Sequence, residues 1–258
     1  MQEVRFMLKS LTNSLIRYFG YELHRVPFKS AFHAQQMLLC GNKALTIFDV
    51  GAHIGDTVAK YKSLFPESAI YCFEPLPESF EKFSKRFKGD SSVKPICMAV
   101  SDEVGKREFC VNRLSATNSL LPRPQSGRRY YPKNAETITK IEVPVTTIDG
   151  FCKEKSISEI HILKMDIQGG ELMALQGATE KLNECLIALI YTEVMFVPHY
   201  EGGALFYEIC NFLSDYGYIL FDIFYAVRAK NGQLRYADAI FVSQQIRTDV
   251  LDSFDSEP

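Results

Sequence analysis

The spacing of apolar side chains changes period many times along the chain, and each change predicts an element. Thr46-Ile47-Phe48 and Ile70-Tyr71-Cys72-Phe73 are short β-branched and aromatic runs, the signature of strands. A helix-like stretch separates them. Further strands are predicted over 93–100, 106–111, 141–146, 160–165 and 186–191. Helical spacing occurs at Val4, Met7, Leu8, Leu11, Leu15, Ile16 and Phe19, which predicts a helix over 3–19, and a second is expected over 30–40. Pro77 suits the first turn of a helix running to about Phe87. Short helices are expected over 147–153 and from Glu171 through Leu175. Residues 203–215 carry Leu205, Phe206, Ile209, Phe212 and Leu213 on one face. Two closing strands, 217–224 and 239–242, are joined through Lys230-Asn231-Gly232, a strong hairpin signal. Strands alternating with helices predict a doubly wound α/β sheet with helices on both faces. The expected organisation is a helical extension over 1–43, one domain over 44–243 and a frayed tail over 244–258.

Composition narrows this picture. With 258 residues, 47% of them hydrophobic, the chain can bury a large single core. A net charge of −2 gives no basic footprint for nucleic acid, so no nucleic-acid partner is expected. The seven cysteines (Cys40, Cys72, Cys97, Cys110, Cys152, Cys185 and Cys210) are odd in number and form no C-x-x-C pair. They read as reduced thiols of a cytoplasmic protein. No apolar run reaches transmembrane length. Arg5, Lys9 and Arg17 make only a thin basic face on the 3–19 segment. That segment is therefore expected to pack on the domain or on a second copy in a homodimer, with a membrane-surface role as the weaker alternative.

The most informative stretch is the turn after the first strand, Asp49-Val50-Gly51-Ala52-His53-Ile54-Gly55, with Glu74 closing the second strand. Glycines there permit torsions and approaches that a Cβ blocks. Glu74 suits the two hydroxyls of a ribose, since a carboxylate accepts both hydrogen bonds. The G-x-G-x-x-G fingerprint of dinucleotide sites is absent. Asp49 would repel a phosphate and welcome a cationic sulfonium or ammonium group. The pattern points to S-adenosylmethionine over a nicotinamide dinucleotide. Two alternatives stay open: a nicotinamide-dependent oxidoreductase, and a binding protein that keeps the fold without turnover.

Three segments together resemble the FkbM-type S-adenosylmethionine-dependent methyltransferases. They are Phe48 to Gly55, Phe73-Glu74-Pro75, and Ile162 to Glu171, with Leu175, Gly177 and Ala178 behind. Ser119-Leu120-Leu121, Val145 to Asp149 and Asp238-Ala239-Ile240-Phe241 are weaker echoes. The resemblance implies a class I methyltransferase fold of Rossmann-like type, a seven-stranded sheet with an antiparallel last strand. It also implies O-methyl transfer to a hydroxyl, often of a sugar or a secondary metabolite. Tyr21 to Arg25 looks like the segment before the domain in bacterial members, which leans toward a glycan-precursor acceptor. The family usually carries Asp-x-Glu-Gly where this chain has Asp166-Ile167-Gln168-Gly169, and Gln168 cannot act as a base.

A hydroxyl nucleophile must lose its proton as the new bond forms, which asks for a base. Asp166, at the end of the 160–165 strand, is the first choice, with helix N-capping as its alternative role. Glu193 and His199 follow. His53 is expected to shape the cofactor seat, Glu171 to cap its helix, and Lys164 to pair with an acid. The expected cofactor-binding residues are Asp49, Gly51, Ala52, His53, Gly55, Glu74, Pro75, Ala99, Asp102 and Asp166, with Asp102 meeting the adenine amino group. Asp166, Glu193 and Asp222 are oxygen donors of the kind hard cations take, but they lack a diagnostic spacing and no metal is predicted. The long segment 112–134 holds Arg113, Arg123, Arg128, Arg129, Tyr130 and Tyr131. It reads either as a solvated loop or as a lid for a polar or anionic small-molecule or glycan acceptor.

Overall fold

The computed structural model describes residues 28, 30–39, 44–124 and 136–253. The predicted helix over 3–19, with its dimer reading, and residues 128–131 of the long loop lie outside them. In chain order the elements are α1 (Ala31–Leu38), β1 (Thr46–Val50), α2 (Asp56–Leu64), β2 (Ala69–Phe73), α3 (Pro77–Arg86), β3 (Val93–Ile96), β4 (Ala99–Val100) and β5 (Gly105–Asn112). A 3₁₀ turn at Ser115–Thr117 follows, then β6 (Thr137–Thr146), α4 (Ile148–Lys155), β7 (Ile160–Met165), α5 (Glu171–Gln176), α6 (Thr179–Asn183) and β8 (Ile187–Met195). The chain closes with α7 (Phe206–Asp215), β9 (Ile219–Arg228), β10 (Leu234–Val242) and α8 (Gln244–Ile246).

Seven strands form one sheet in the order β3-β2-β1-β7-β8-β10-β9. β1 is parallel to β2 and β7, and β10 runs antiparallel to both β8 and β9. The strand order reverses at β1, so a crevice opens at the carboxyl ends of β1 and β7, where doubly wound sheets bind ligands. Both faces of the sheet are covered, which is why its central strands read as continuous apolar runs. Phe48, Leu163 and Ile190 pack with Phe151, Leu175 and Leu213 on one side. Ile47, Ile162 and Leu189 pack with Ala34, Val58 and Tyr61 of α1 and α2 on the other.

Two expectations are corrected. The predicted strand over 93–100 is two strands. β3 edges the main sheet, whereas Ala99 and Val100 pair with Val145 and Thr146 in a separate sheet ordered β4-β6-β5. An apolar run signals burial, not which sheet does the burying. The expected frayed tail is ordered through its first part: Ser243 Oγ accepts from Ile246 N, Ile246 is buried in the core, and a wide helical turn spans Arg247–Leu251. Residues 254–258 lie outside the described residues. The hairpin is as predicted, closed by Ala229 N donating to Gln233 O and by Gly232 at φ +84°. The six described cysteines are free thiols. No helix among the described residues is long and apolar enough to cross a membrane.

Candidate active site

The β1–α2 turn is a cradle that admits no side chain at its tightest point. Gly51 has φ +81°, and a Cβ there would lie 2.0 Å from the Asp166 carbonyl oxygen. The amides of Gly51 and Ala52 both donate to Phe73 O, tying the turn to β2. At the tip of β2, Glu74 Oε2 accepts from His53 N at 3.0 Å and Oε1 from Leu76 N at 2.8 Å. Two backbone donors thus set the carboxylate across the mouth of the turn. Its burial pushes its pKa up to about 7, against the pull of those amides. A cavity of about 210 Å³ opens beside them, lined also by Pro75, Met98, Ala99 and Val100. Ser115 and Leu120, from the first part of the long loop, line its far side, where Ser115 Oγ meets His53 Nε2 at 3.0 Å.

Asp166 follows β7 directly, its amide donating to Val50 O at 3.0 Å. It is not a helix cap. α5 begins at Glu171 behind Gly170, and the Glu171 carboxylate takes the amides of Ile167 and Gly169 at 2.9 and 2.8 Å. Glu171 therefore holds the loop and leaves the Asp166 side chain at the crevice. Gln168 Nε2 donates to Asp166 Oδ1 and to Glu193 Oε2, both at 2.8 Å, while its Oε1 accepts from Tyr200 Oη at 2.7 Å. An amide can donate to two carboxylates at once; a glutamate in its place would set three acids together. Gln168 has φ +59°, and strain of that kind costs about 1–3 kcal/mol in a residue with a side chain and concentrates at functional sites. Glu193 is pushed well above the usual carboxylate range, by burial first and then by Asp166, Glu171 and Asp238.

A second cavity, about 260 Å³, lies on the other side of Asp166. Asp166, Lys164 and Thr57 border both cavities. Phe32, Lys60, Tyr191, Glu193, Tyr225 and Asp238 line the second cavity as well, with Met165 and Thr192 between them. One carboxylate thus stands between a glycine cradle with a ribose-suited acid and a compartment of acids and aromatics.

The family described as methyltransferase FkbM domain matches residues 49–220, well over half of the chain. The chain belongs to this family. It is 24% identical over 226 residues to the 2-O-methyltransferase NoeI of Sinorhizobium fredii (strain NBRC 101917 / NGR234), a match covering 84% of this chain and 91% of that protein. It is 22% identical over 194 residues to the methyltransferase sdnD of Sordaria araneosa, covering 67% and 73% respectively. Among solved structures, an rRNA methylase from Streptococcus thermophilus overlays with a TM-score of 0.44 at 10% identity, over 84% of this chain and 99% of that one.

Of the expected site residues, this FkbM-family chain brings Gly51, Ala52, His53, Glu74, Pro75, Ala99 and Asp166 to the first cavity and Glu193 to the second. Gly55 lies beneath the turn, where a Cβ would strike the Phe87 ring at 2.3 Å. Three assignments change. Asp49 lines neither cavity: it is fully buried and pairs with Lys164 Nζ at 2.8 Å, and Lys164 also donates to Gly51 O at 3.1 Å. Lys164 does meet an acid, as expected, and that acid is Asp49. The pair supports the glycine turn from below. Burial raises the Asp49 pKa against the opposing pull of Lys164; for Lys164 burial acts to lower it, but Asp49 and then Asp166 carry the net shift upward. Asp102 is also outside both linings, its carboxylate held by Arg107 at 2.8 Å and by Ser101 Oγ.

His199 is the third. It is buried away from both cavities, with Nδ1 against Met195 Sδ and Nε2 facing Arg235 Nη2 at 3.2 Å. Burial, then Arg235 and Arg123, lowers its pKa to about 4, so it stays neutral in the core. Asp222 sits on β9 opposite Ile240 and borders neither cavity. Among the described residues no group of His, Cys, Asp and Glu is arranged to hold a metal. Tyr191, Tyr200 and Tyr225 were not expected at the site. Nothing in their spacing marks them; Asp238 at least stood in a motif echo.

Proposed function

We propose that this methyltransferase uses S-adenosylmethionine to methylate a hydroxyl of a sugar, glycan precursor or secondary metabolite, in the cytoplasm. The observation that carries this reading is Asp166 standing between the two cavities. S-adenosylmethionine supplies an electrophilic methyl group on a sulfonium. The first cavity fits it: the Gly51-Ala52 turn lines one wall, Glu74 meets ribose hydroxyls, and Ala99 and Val100 border the base. The acceptor hydroxyl enters from the second cavity, and Asp166 takes its proton. Alignment of this kind contributes up to about 7–11 kcal/mol. A 2-O-methyltransferase among the relatives supports oxygen as the nucleophile, and free thiols at the six described cysteines support a reducing compartment. The oxidoreductase reading finds no support, since the family is one of methyltransferases.

Calorimetry with S-adenosylhomocysteine and with NADH tests the reading. The first is expected to bind and the second not; NADH binding alone would reverse the assignment. A pH series sharpens it. Ribose hydroxyls donate to an ionised Glu74, whose pKa burial pushes up to about 7. Affinity for S-adenosylhomocysteine is therefore expected to fall, by up to about tenfold per unit, as pH drops below that value. In Glu74→Gln the dependence should flatten at the lower affinity; a variant that keeps the wild-type slope refutes the role.

A further inference from the structure

We infer that the second cavity accepts one polyhydroxylated ring that is uncharged or carries an ammonium group, and turns away anionic acceptors. The inference deepens the methyltransferase reading above and rests on it for the identity of the cavity as the acceptor side.

Charge argues first. Asp166 at the end of β7, Glu193 on β8 and Asp238 on β10 face one space, with Glu193 and Asp238 directly opposite each other across the strands. Of the lysines that border it among the described residues, Lys164 is paired with Asp49, while Lys60 keeps its charge with Nζ 5.0 Å from the centre of the Phe32 ring, which sets one ammonium against Asp166 and Asp238. A phosphate or carboxylate entering here meets Asp166 and Asp238 in a partly desolvated space, with Lys60 alone to offset them, and this juxtaposition of like charges disfavours its binding.

Unused hydrogen-bonding capacity argues second. Gln168 Nε2 supplies Glu193 Oε2, and no donor among the described residues serves Glu193 Oε1. Asp238 Oδ2 accepts from Tyr191 Oη. A carboxylate offers about four lone-pair sites, so Glu193 and Asp238 retain acceptors for the hydroxyls of a ring or for an ammonium.

Shape argues third. Phe32, Tyr191 and Tyr225 give the cavity apolar faces beside those acceptors, the amphipathic pairing that suits a ring with CH faces and a hydroxyl rim. A register shift between β9 and β10 at Tyr236 and Asp238 puts Tyr225 at φ +53°, and its hydroxyl accepts from Ala31 N at 3.3 Å. Bulges beside active sites re-aim side chains in this way. The volume, about 260 Å³, falls just under the roughly 300–1,000 Å³ of sites for drug-sized ligands. One ring fits, and a longer chain has to leave through the opening.

Saturation-transfer NMR on the full chain with S-adenosylhomocysteine present tests this with four probes: the methyl glycosides of glucose, 2-amino-2-deoxyglucose and glucuronic acid, and glucose 6-phosphate. The first two are expected to bind about tenfold or more tightly than the anionic pair. In Asp238→Asn that gap should narrow severalfold, with the variant's uptake of S-adenosylhomocysteine reporting that it is folded. Equal or stronger signals from either anion, silence from all four probes, or a uniform loss in Asp238→Asn would each overturn the inference. Failure of S-adenosylhomocysteine to bind the native chain is a separate result. It would remove the methyl-donor seat, while the same spectra still read the charge selection of this cavity.

Discussion

Replacing Asp166 by Asn is expected to lower kcat by roughly 10²–10⁴-fold while leaving the affinity for S-adenosylhomocysteine essentially unchanged, the size usual for loss of a positioned base. The substitution keeps the volume and one acceptor oxygen for Gln168 Nε2, so the loop loses little of its support. What it removes is the group proposed to receive the proton. Asp166 is the carboxylate bordering both cavities, and its neighbours are arranged around it. Gln168 ties it to Glu193, burial disfavours charge on Glu193, and Glu171 is spent on the amides of Ile167 and Gly169. Turnover measured as release of S-adenosylhomocysteine from a saturating acceptor reads the effect. Activity within a few-fold of the native enzyme would move the base elsewhere, with Glu193 next in place.

The second large effect is on stability. Lys164→Met should cost about 3–5 kcal/mol, because it leaves the Asp49 carboxylate buried without its partner. The side chains are 7% and 0% exposed, so solvent does not stand in for the missing charge. The turn loses a contact as well, since Lys164 Nζ also donates to Gly51 O. Adding Asp49→Asn to the variant removes the stranded charge and is expected to recover part of the loss. Urea unfolding of the native chain, the single variant and the double variant gives the three free energies. A cost for the single variant below about 1 kcal/mol, the size of an exposed pair, would show that the pair does not underpin the turn.

Much of this arrangement is legible in the sequence. Strand, glycine turn, helix, strand, acid is a local grammar, and Gly51, Glu74 and Asp166 took their places because each sits at a strand end whose position the apolar runs mark. The Gln168 departure was equally plain as a residue type. Its use was not: that the amide would bridge Asp166 to Glu193 depends on Glu193 arriving from β8, 25 residues on. Asp49 failed for a related reason. An acid before a glycine turn reads as facing the ligand, yet strand alternation turned it toward α1 and α2, where Lys164 meets it. His199 reads as a base from its chemistry alone, but packing against Met195 and Arg235 keeps it out of both cavities.

The chain's own order of residues therefore determined the element types, the both-sides-buried sheet, the cradle at Gly51 and the acid at Glu74, because these follow from periods and torsions spanning a few neighbours. Tertiary structure alone decided which charges cancel, which acids share a donor, and that a compartment built from Phe32, Tyr191, Glu193, Tyr225 and Asp238 exists at all. Those side chains come from α1, β8, β9 and β10, more than 200 positions from first to last, and only folding sets their separations. Electrostatics and hydrogen bonding act through those separations, so the site's chemistry becomes definite only when the sheet has closed.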